Sequence, residues 1–339
     1  MRDHRQEVTL SDFDYLLPDD LIAQEPLPDR AGSRMLVVDR TTGKWEDRQF
    51  RDFSSYLKPG DCLVLNDSRV LPSRLIGRRE SGTGRVEVFL TKPISSDGLT
   101  WEALVHPGRK MRTGERVVIS DDLTAEILGR AEFGERTVRL RPLGNLVTIL
   151  ERVGHVPLPP YIRRPDTPAD RERYQTVFAR EPGSSAAPTA GLHFTPEILG
   201  ACKAAGAHVE HITLHVGLGT FQPLRSENLD DVHLHKESFV VPRQTIDAMN
   251  QAKRVVAVGT TAVRAIESDP AAVETDLFIQ PGFRFRRTAA MLTNFHLPKS
   301  SLLVLVCAFA GRELALEAYR YAVSQEYRFY SYGDCMLIM

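Results

Sequence analysis

The spacing of apolar and polar residues divides this chain of 339 residues into three regions. In residues 1–68 the spacing predicts a helix over residues 16–24, a strand over residues 35–39 and a buried strand over residues 62–65. Gly and Pro separate these elements. The first region is therefore typical of a chain that mixes helices with strands.

Residues 69–142 have a different pattern. Short apolar and β-branched runs alternate with Gly, Ser and Asp clusters at short, regular intervals, which predicts a small all-β barrel or sandwich. Because helices and strands are predicted on both sides, we interpret this region as a β domain inserted into an α/β domain. The predicted strands cover residues 86–91, 101–105, 115–119, 124–128 and 137–140.

Helices and strands return in residues 143–339. Thr195 as N-cap, Pro196 in the first turn and Gly206 as the stop predict a helix over residues 196–205. The clearest βα unit follows, with a strand over residues 254–258 and a helix over residues 260–268. The other predictions are strands over residues 208–216, 277–279 and 291–294, and one or two helices within residues 300–328.

The charges of the chain nearly cancel, because 43 Lys and Arg residues stand against 44 Asp and Glu residues, for a net charge of −1. This balance argues against a protein that coats nucleic acid through a global positive field, although it leaves room for a local basic surface. Residues 69–116 carry ten basic and five acidic residues. In residues 283–287, aromatic residues are interleaved with Arg284, Arg286 and Arg287. These arginines are candidate contacts to a phosphate backbone, and the alternative is an ordinary solvated surface.

The sequence predicts a soluble, cytoplasmic protein without a membrane partner. Its four cysteines are scattered in or beside apolar runs, which indicates buried, reduced thiols. The N-terminal residues are charged before any apolar run, so no signal peptide is predicted. The longest apolar run, residues 302–310, is far shorter than the ~20 residues that a membrane span needs.

Several large enzyme classes have no support in the sequence, since no GxGxxG, Walker A, HExxH or GxSxG motif occurs. Candidate chemistry lies instead in polar segments at predicted strand ends. Asn66, Asp67 and Arg69 follow a buried strand and form either a polar-ligand site or an ordinary turn. His193 stands in a small-residue loop that opens a helix, a place suited to an anionic ligand or to close packing.

Histidines are frequent between residues 208 and 237. A metal site is only weakly supported there, because no HxxxH or CxxC pair anchors it, and we expect no metal. A histidine beside a glycine turn is better interpreted as a hydrogen-bonding or acid–base group, which makes His215 a candidate. Thr220 lies in the same segment. The side chains weighed as metal ligands are His211, His215, His233, His235 and Glu237.

Two strand-to-helix connections carry further candidates. In VAVGTTAVR, Thr260 begins a helix suited to a carboxylate or phosphate, or simply caps it, and Arg264 follows one turn later. In TNFHLPKSS, His296 and Lys299 bring an imidazole and an ammonium group into one loop. Few purely structural loops need such a set of groups.

The segment YRFYSYGD near the end of the chain adds Tyr332 and Asp334. Its aromatic side chains could stack on bases, and the alternative is a C-terminal segment docked on the core.

Taken together, these segments closely resemble the S-adenosylmethionine:tRNA ribosyltransferase-isomerase family of queuosine biosynthesis. The resemblance runs from residue 12 to residue 338 with its motifs in family order. The motifs are LPDDLIAQEPLPDRAGSRMLVVDR, LVLNDSRVLPSRL, VPLPPYI, RYQTVFA, AAPTAGLHFT, TLHVGLGTFQP, VAVGTTAVRAIES, NFHLPKSSLLVLVCAFAG and YRFYSYGDCMLI.

The resemblance implies an α/β barrel-like main domain, residues 1–68 and 143–339, with an inserted β-barrel domain, residues 69–142. It implies an enzyme that transfers and isomerises the ribosyl moiety of S-adenosylmethionine onto 7-aminomethyl-7-deazaguanine at the wobble position of tRNA. Epoxyqueuosine forms, and adenine and methionine are released. S-adenosylmethionine is then a consumed substrate, and neither a cofactor nor a metal is implied.

For such a reaction, residue chemistry makes His193, His215 and His296 the candidate bases, with Lys299 behind them. We expect a monomer that binds tRNA and S-adenosylmethionine. The alternatives are a non-catalytic tRNA-binding protein and a methyltransferase. Candidate substrate-binding residues are Asn66, Asp67, Arg69, Thr220, Thr260, Arg264, Tyr332 and Asp334.

Overall fold

The computed structural model describes residues 8–131, 134–217, 224 and 226–339. The strands are β1 (Arg34–Asp39), β2 (Lys44–Gln49), β3 (Asp61–Asn66), β4 (Ser68–Val70), β5 (Arg74–Arg79), β6 (Arg85–Pro93), β7 (Thr100–His106), β8 (Arg116–Ser120), β9 (Leu123–Arg130), β10 (Arg136–Pro142), β11 (Glu181–Ser184), β12 (His208–Leu214), β13 (Glu237–Val240), β14 (Arg254–Val258), β15 (Glu274–Thr275), β16 (Thr288–Asn294) and β17 (Cys335–Ile338). The α-helices are α1 (Leu146–Val153), α2 (Pro168–Arg173), α3 (Pro196–Ala204), α4 (Arg243–Gln251), α5 (Thr260–Glu267), α6 (Ser301–Ala310) and α7 (Arg312–Ser324).

The larger part of the fold is built on a mixed sheet in the order β15-β13-β12-β3-β14-β16-β17-β1-β2. Its interior strand β3 is buried along its whole length, because helices and connecting segments cover both faces of the sheet. Along β1 the side chains alternate: Leu36 and Val38 enter one apolar core, and Met35 and Val37 enter the other. The sheet therefore separates two hydrophobic cores.

The second part is a closed barrel in the order β10-β7-β6-β5-β8-β9. Period-two alternation fills its interior, as in β6, where Val86, Val88 and Leu90 are buried. The prediction of a β-barrel is thus confirmed. The barrel-like form expected of the main part is not confirmed, because its sheet lies open between the edge strands β15 and β2.

Three local predictions can be compared with the structure. Residues 16–24 do not form the predicted α-helix; Leu16 is 86% exposed, and the only helical turn in this stretch is a 3-10 turn over Asp19–Leu21. Residues 277–279 run as irregular chain rather than as a strand. The region 300–328 holds two helices, because Gly311 takes φ 90° between α6 and α7.

The structure also bears on the predictions made for the cysteines and for the length of apolar segments. All four cysteines are free and buried. None of the helices in the described ranges is both long and apolar enough to span a bilayer.

Candidate active site

The candidate active site lies where β12, β3, β14 and β16 end. These neighbouring strands run parallel, so their carboxyl ends meet at one edge of the sheet, the edge where open α/β sheets bind ligands. A pocket there, which we call the main pocket, has an empty volume of about 640 Å³, its open mouth included. Its polar lining consists of Tyr161, Thr189, Thr260, Thr261, Thr293, Asn294, His296, Ser300, Tyr330 and Ser331.

Two helices begin at the main pocket. Gly259 precedes α5 with φ 89°, a backbone angle that favours glycine, and Thr260 and Thr261 open the helix. Ser300 caps α6 by accepting a hydrogen bond from the backbone N–H of Leu303 at 3.2 Å. The positive ends of both helix dipoles therefore border the pocket, which favours anionic or oxygen-rich ligand groups.

His296 lies in the wall of the main pocket. Its Nε2 is 2.8 Å from Thr293 Oγ1, its backbone carbonyl accepts a 2.5 Å hydrogen bond from the Tyr15 hydroxyl, and its N–H donates to the Tyr319 hydroxyl at 3.1 Å. Burial lowers the pKa of the imidazole to about 3. At neutral pH this side chain is therefore uncharged, and Thr293 orients its ring.

Asn294 and Tyr330 are pocket residues that the sequence alone did not single out. The Asn294 side-chain NH₂ donates to the carbonyl of Tyr330 at 2.9 Å, whereas Asn294 Oδ1 and the Tyr330 hydroxyl are buried without a partner in the described structure. Buried polar atoms normally have a partner, so these two are suited to a bound ligand. Their only sequence signal was membership of the loops TNFHLPKSS and YRFYSYGD.

His193 is buried next to the main pocket, in the wall of a smaller neighbouring cleft. Its Nδ1 is 3.0 Å from Ser33 Oγ, and its ring lies 5.2 Å from that of Phe50. Burial lowers the pKa of His193 to about 4, and the side chain of Asn294 opposes part of that effect. His193 is therefore neutral at pH 7 and coupled to a residue that lines the main pocket.

His215 follows β12 and is half-buried. Its ring packs on Gly183, where an added Cβ would lie 2.9 Å from the imidazole Cε1. Burial lowers the pKa of His215, and its Nδ1 is buried without a partner among the described residues. The next residue, Val216, lines the main pocket, but His215 itself does not.

Asn66 uses its side chain to join the strands beneath the pocket. Its NH₂ donates to the Leu214 carbonyl at 2.9 Å and to Thr261 Oγ1 at 3.3 Å, and its Oδ1 accepts from the N–H groups of Leu214 and Ser68. This amide is fully occupied, so it positions Thr261 rather than lining the pocket.

Asp67 and Arg69 also lie outside the main pocket. Asp67 accepts hydrogen bonds from Arg180 at 3.0 Å and from the Thr213 hydroxyl at 2.7 Å. Arg69 is exposed and forms an ion pair with Glu151 at 2.8 Å.

The two candidates at the end of the chain are engaged in the fold. The Tyr332 hydroxyl donates to Asp170 at 2.7 Å. Asp334 accepts backbone N–H bonds from Arg34 and Arg328, each at 2.8 Å, and burial raises the pKa of its carboxyl. Neither side chain lines the main pocket.

Lys299 and Arg264 flank the pocket. Lys299 has φ 56°, and its ammonium lies 3.0 Å from Asp14 on the surface. Arg264 is buried and forms an ion pair with Glu237 in an adjoining pocket.

The arginines of residues 283–287 project from a segment anchored by its aromatics. Phe283 packs on Phe285, and Phe285 packs on Phe309 of α6 at a ring distance of 4.9 Å. Arg284 and Arg286 are exposed and Arg287 is partly exposed. The remaining candidate, Thr220, lies outside the described residues, and within those residues no cluster of three metal-ligating side chains occurs.

Comparison with known proteins places the chain in a family. Residues 10–338 match the family described as "Queuosine biosynthesis protein". The S-adenosylmethionine:tRNA ribosyltransferase-isomerase of Solibacter usitatus is 60% identical over 352 residues, which cover 98% of this chain and 100% of that protein. The protein of the same name from Geobacter metallireducens is 47% identical and covers 97% of this chain and 99% of its own length.

A solved structure is also similar. The crystal structure of S-adenosylmethionine tRNA ribosyltransferase from Thermotoga maritima matches with a TM-score of 0.55 and 37% identity, covering 97% of this chain and 100% of that one. The chain therefore belongs to the queuosine biosynthesis protein family. The family identified from the sequence motifs is confirmed, and with it the expectation of an enzyme of the transferase and isomerase type.

Proposed function

We propose that this chain is an S-adenosylmethionine:tRNA ribosyltransferase-isomerase. It transfers and isomerises the ribosyl moiety of S-adenosylmethionine onto 7-aminomethyl-7-deazaguanine at the wobble position of tRNA, forming epoxyqueuosine and releasing adenine and methionine. The observation that carries the proposal is the 60% identity, over nearly the whole chain, to a protein of that name. S-adenosylmethionine is consumed as substrate, and the protein needs no resident cofactor.

The main pocket is the proposed site for the nucleoside part of S-adenosylmethionine. It lies at the carboxyl ends of four parallel strands, where open α/β sheets bind their ligands. The apolar side chains of Val216, Leu297 and Leu302 suit the faces of a base and a sugar. The unpartnered atoms Asn294 Oδ1 and Tyr330 OH offer hydrogen bonds to its edges, and Thr260 offers a hydroxyl.

The reaction needs a base that removes the acidic proton at C5′, next to the sulfonium, and an acid that assists the departure of adenine. His296 is the proposed base, because it is a neutral imidazole in the pocket wall, oriented by Thr293. His193 acts behind Asn294 as a positioning residue. His215 and Lys299 rank behind these two, because neither lines the main pocket, whereas His296 lines it and His193 interacts with the pocket residue Asn294.

The remaining candidates support the substrates from outside the pocket. Asn66 holds the start of α5 in place, Asp67 is buried against Arg180 and Thr213, and Arg69 lies on the surface. Tyr332 and Asp334 fix the C-terminal segment that carries Tyr330. Arg284, Arg286 and Arg287 are the proposed contacts to the tRNA backbone, since two of them are exposed and the third is partly exposed.

The test is a turnover assay with S-adenosylmethionine and tRNA that carries 7-aminomethyl-7-deazaguanine. We expect release of adenine, with a labelled methyl group recovered on methionine. A methyltransferase would leave that label on the tRNA, and a non-catalytic tRNA-binding protein would bind the tRNA without releasing adenine. Either result would overturn the proposal.

A further inference from the structure

A second pocket adjoins the main pocket. Its empty volume is about 400 Å³, and it shares Leu302 of α6 with the main pocket. Ser300 lines one pocket and Ser301 the other, while on α5 Thr260 and Arg264 stand one helical turn apart. Thr260 and Arg264 are about 6 Å apart along α5, so the two pockets are neighbours along the same two helices.

Arg264 supplies a guanidinium group to the wall of the second pocket, and it is only 5% exposed. Its NH1 donates to Glu237 Oε2 and its Nε donates to the Leu277 carbonyl at 3.1 Å. Its NH2 is buried and has no partner in the described structure. A buried guanidinium N–H without an acceptor is costly, so this group is suited to an oxygen ligand supplied from outside.

The start of α6 supplies a second positive element. The first amides of a helix have no acceptor within it, and α6 is ten residues long, with Ser301 and Leu302 of its first turn in the pocket wall. The Glu237 carboxylate contributes negative charge to the same wall. The pocket thus offers charges of both signs, as an α-amino acid group requires.

We propose that the second pocket binds the α-amino acid end of S-adenosylmethionine, with the carboxylate on Arg264 NH2 and the first turn of α6. The proposal rests on the proposed function, which puts the nucleoside in the main pocket. The carbon chain between the sulfonium and the carboxylate spans about 5 Å from its bond lengths, close to the rise of about 6 Å between Thr260 in the main pocket and Arg264 in the second pocket. Glu237 then balances the α-ammonium group.

The first test uses the unaltered protein and calorimetric binding without tRNA. Three ligands are compared: S-adenosylmethionine, decarboxylated S-adenosylmethionine, and 5′-methylthioadenosine, which lacks the amino acid end. Loss of the carboxylate should raise Kd about tenfold to a hundredfold, as expected for charge-assisted hydrogen bonds. Equal Kd values for the first two ligands would overturn the proposal.

The second test removes the buried charges as a pair, because Arg264→Gln alone would remove the guanidinium that forms an ion pair with the buried Glu237 carboxylate. The double variant Arg264→Gln/Glu237→Gln should bind S-adenosylmethionine at least tenfold more weakly, lose discrimination against the decarboxylated ligand, and bind 5′-methylthioadenosine within twofold of the unaltered protein. Retained discrimination in a folded double variant would contradict the proposal.

A matched control disrupts a similar pair elsewhere. Arg254 and Asp61 form an ion pair at 2.5 Å at the amino ends of β14 and β3, away from both pockets. Arg254→Gln/Asp61→Asn should leave the ratio of Kd values unchanged.

The inference and the proposed function can fail separately. If adenine release occurs and 5′-methylthioadenosine binds but the carboxylate has no effect, only the second-pocket proposal falls. If no adenosyl ligand binds, both fall.

Discussion

Thr293 Oγ1 lies 2.8 Å from His296 Nε2 in the wall of the main pocket. Thr293 is the penultimate residue of β16, a strand buried along its second half, so its hydroxyl is fixed by the sheet. The contact holds one ring nitrogen of an imidazole that burial keeps neutral. A rigid sheet residue thereby orients the residue that we propose as the base.

Substitution of His296 should affect turnover rather than binding. We expect His296→Ala to lower adenine release by about 10²–10⁴-fold, the usual contribution of a general base, while Kd for S-adenosylmethionine changes little. Thr293→Val should give a smaller loss, because it removes only the orienting contact. The control is His208→Ala, which alters an exposed histidine at the start of β12. Turnover by His296→Ala equal to that of the control would remove His296 from the mechanism.

Stability should fall between pH 7 and pH 5 in part because of His193. Its pKa is about 4 in the folded protein and ~6.5 in the unfolded chain, so the unfolded state binds the additional proton in this range. Acidification therefore favours unfolding, by about 2 kcal/mol at pH 5 from this residue alone. Urea unfolding at both pH values measures the effect.

The variant His193→Gln isolates that contribution. Between pH 7 and pH 5, the free energy of unfolding of His193→Gln should fall by about 2 kcal/mol less than that of the unaltered protein. His208→Gln, at an exposed position, should keep the original pH dependence. Identical losses in His193→Gln and the unaltered protein would show that His193 titrates normally in the fold.

Asn66→Ala should destabilise the protein strongly. The amide bonds β3 to β12 through both backbone groups of Leu214 and reaches Thr261 at the start of α5. Its loss leaves buried N–H and C=O groups unsatisfied, so we expect a fall of about 3 kcal/mol in the free energy of unfolding. Asn250→Ala, at an exposed position near the end of α4, should change it by less than ~0.5 kcal/mol. A loss below about 1 kcal/mol in Asn66→Ala would contradict the linking role.

Charge reversal at Arg284 and Arg286 should weaken tRNA binding. For each phosphate that the variant no longer neutralises, the slope of log K against log salt should become shallower by about 1, whereas Kd for S-adenosylmethionine should stay constant. The control is Arg51→Glu, which changes an exposed arginine. The neighbouring Phe50 packs in one core of the sheet, whereas Phe285, next to Arg284 and Arg286, packs against the core on the opposite face. An unchanged salt slope in the double variant would exclude this surface.

The sequence by itself determined the local elements and the family. Short apolar and β-branched runs between Gly, Ser and Asp clusters predicted five of the six barrel strands, all except β5, because strands and turns have distinct local compositions. Likewise, the Thr195 side chain accepts from the N–H of Ile198 and caps α3 as predicted, because a cap depends on neighbouring residues only. Residues 16–24 failed as a helix because the backbone around Ile22 pairs with Phe329, and this pairing uses hydrogen-bonding groups that a helix would need.

Only the tertiary structure decided which motif residues meet in the pocket. His296 and Thr260 line the pocket. In contrast, the side chain of Asn66 is hydrogen-bonded to Leu214 and that of Tyr332 to Asp170, partners that are 148 and 162 residues away along the chain. Strand order also left the main sheet open and aligned the ends of β3, β12, β14 and β16. The physical reason is that a side chain's partners come from elements that the sheet brings together, and no local sequence pattern specifies the order of the strands in the sheet.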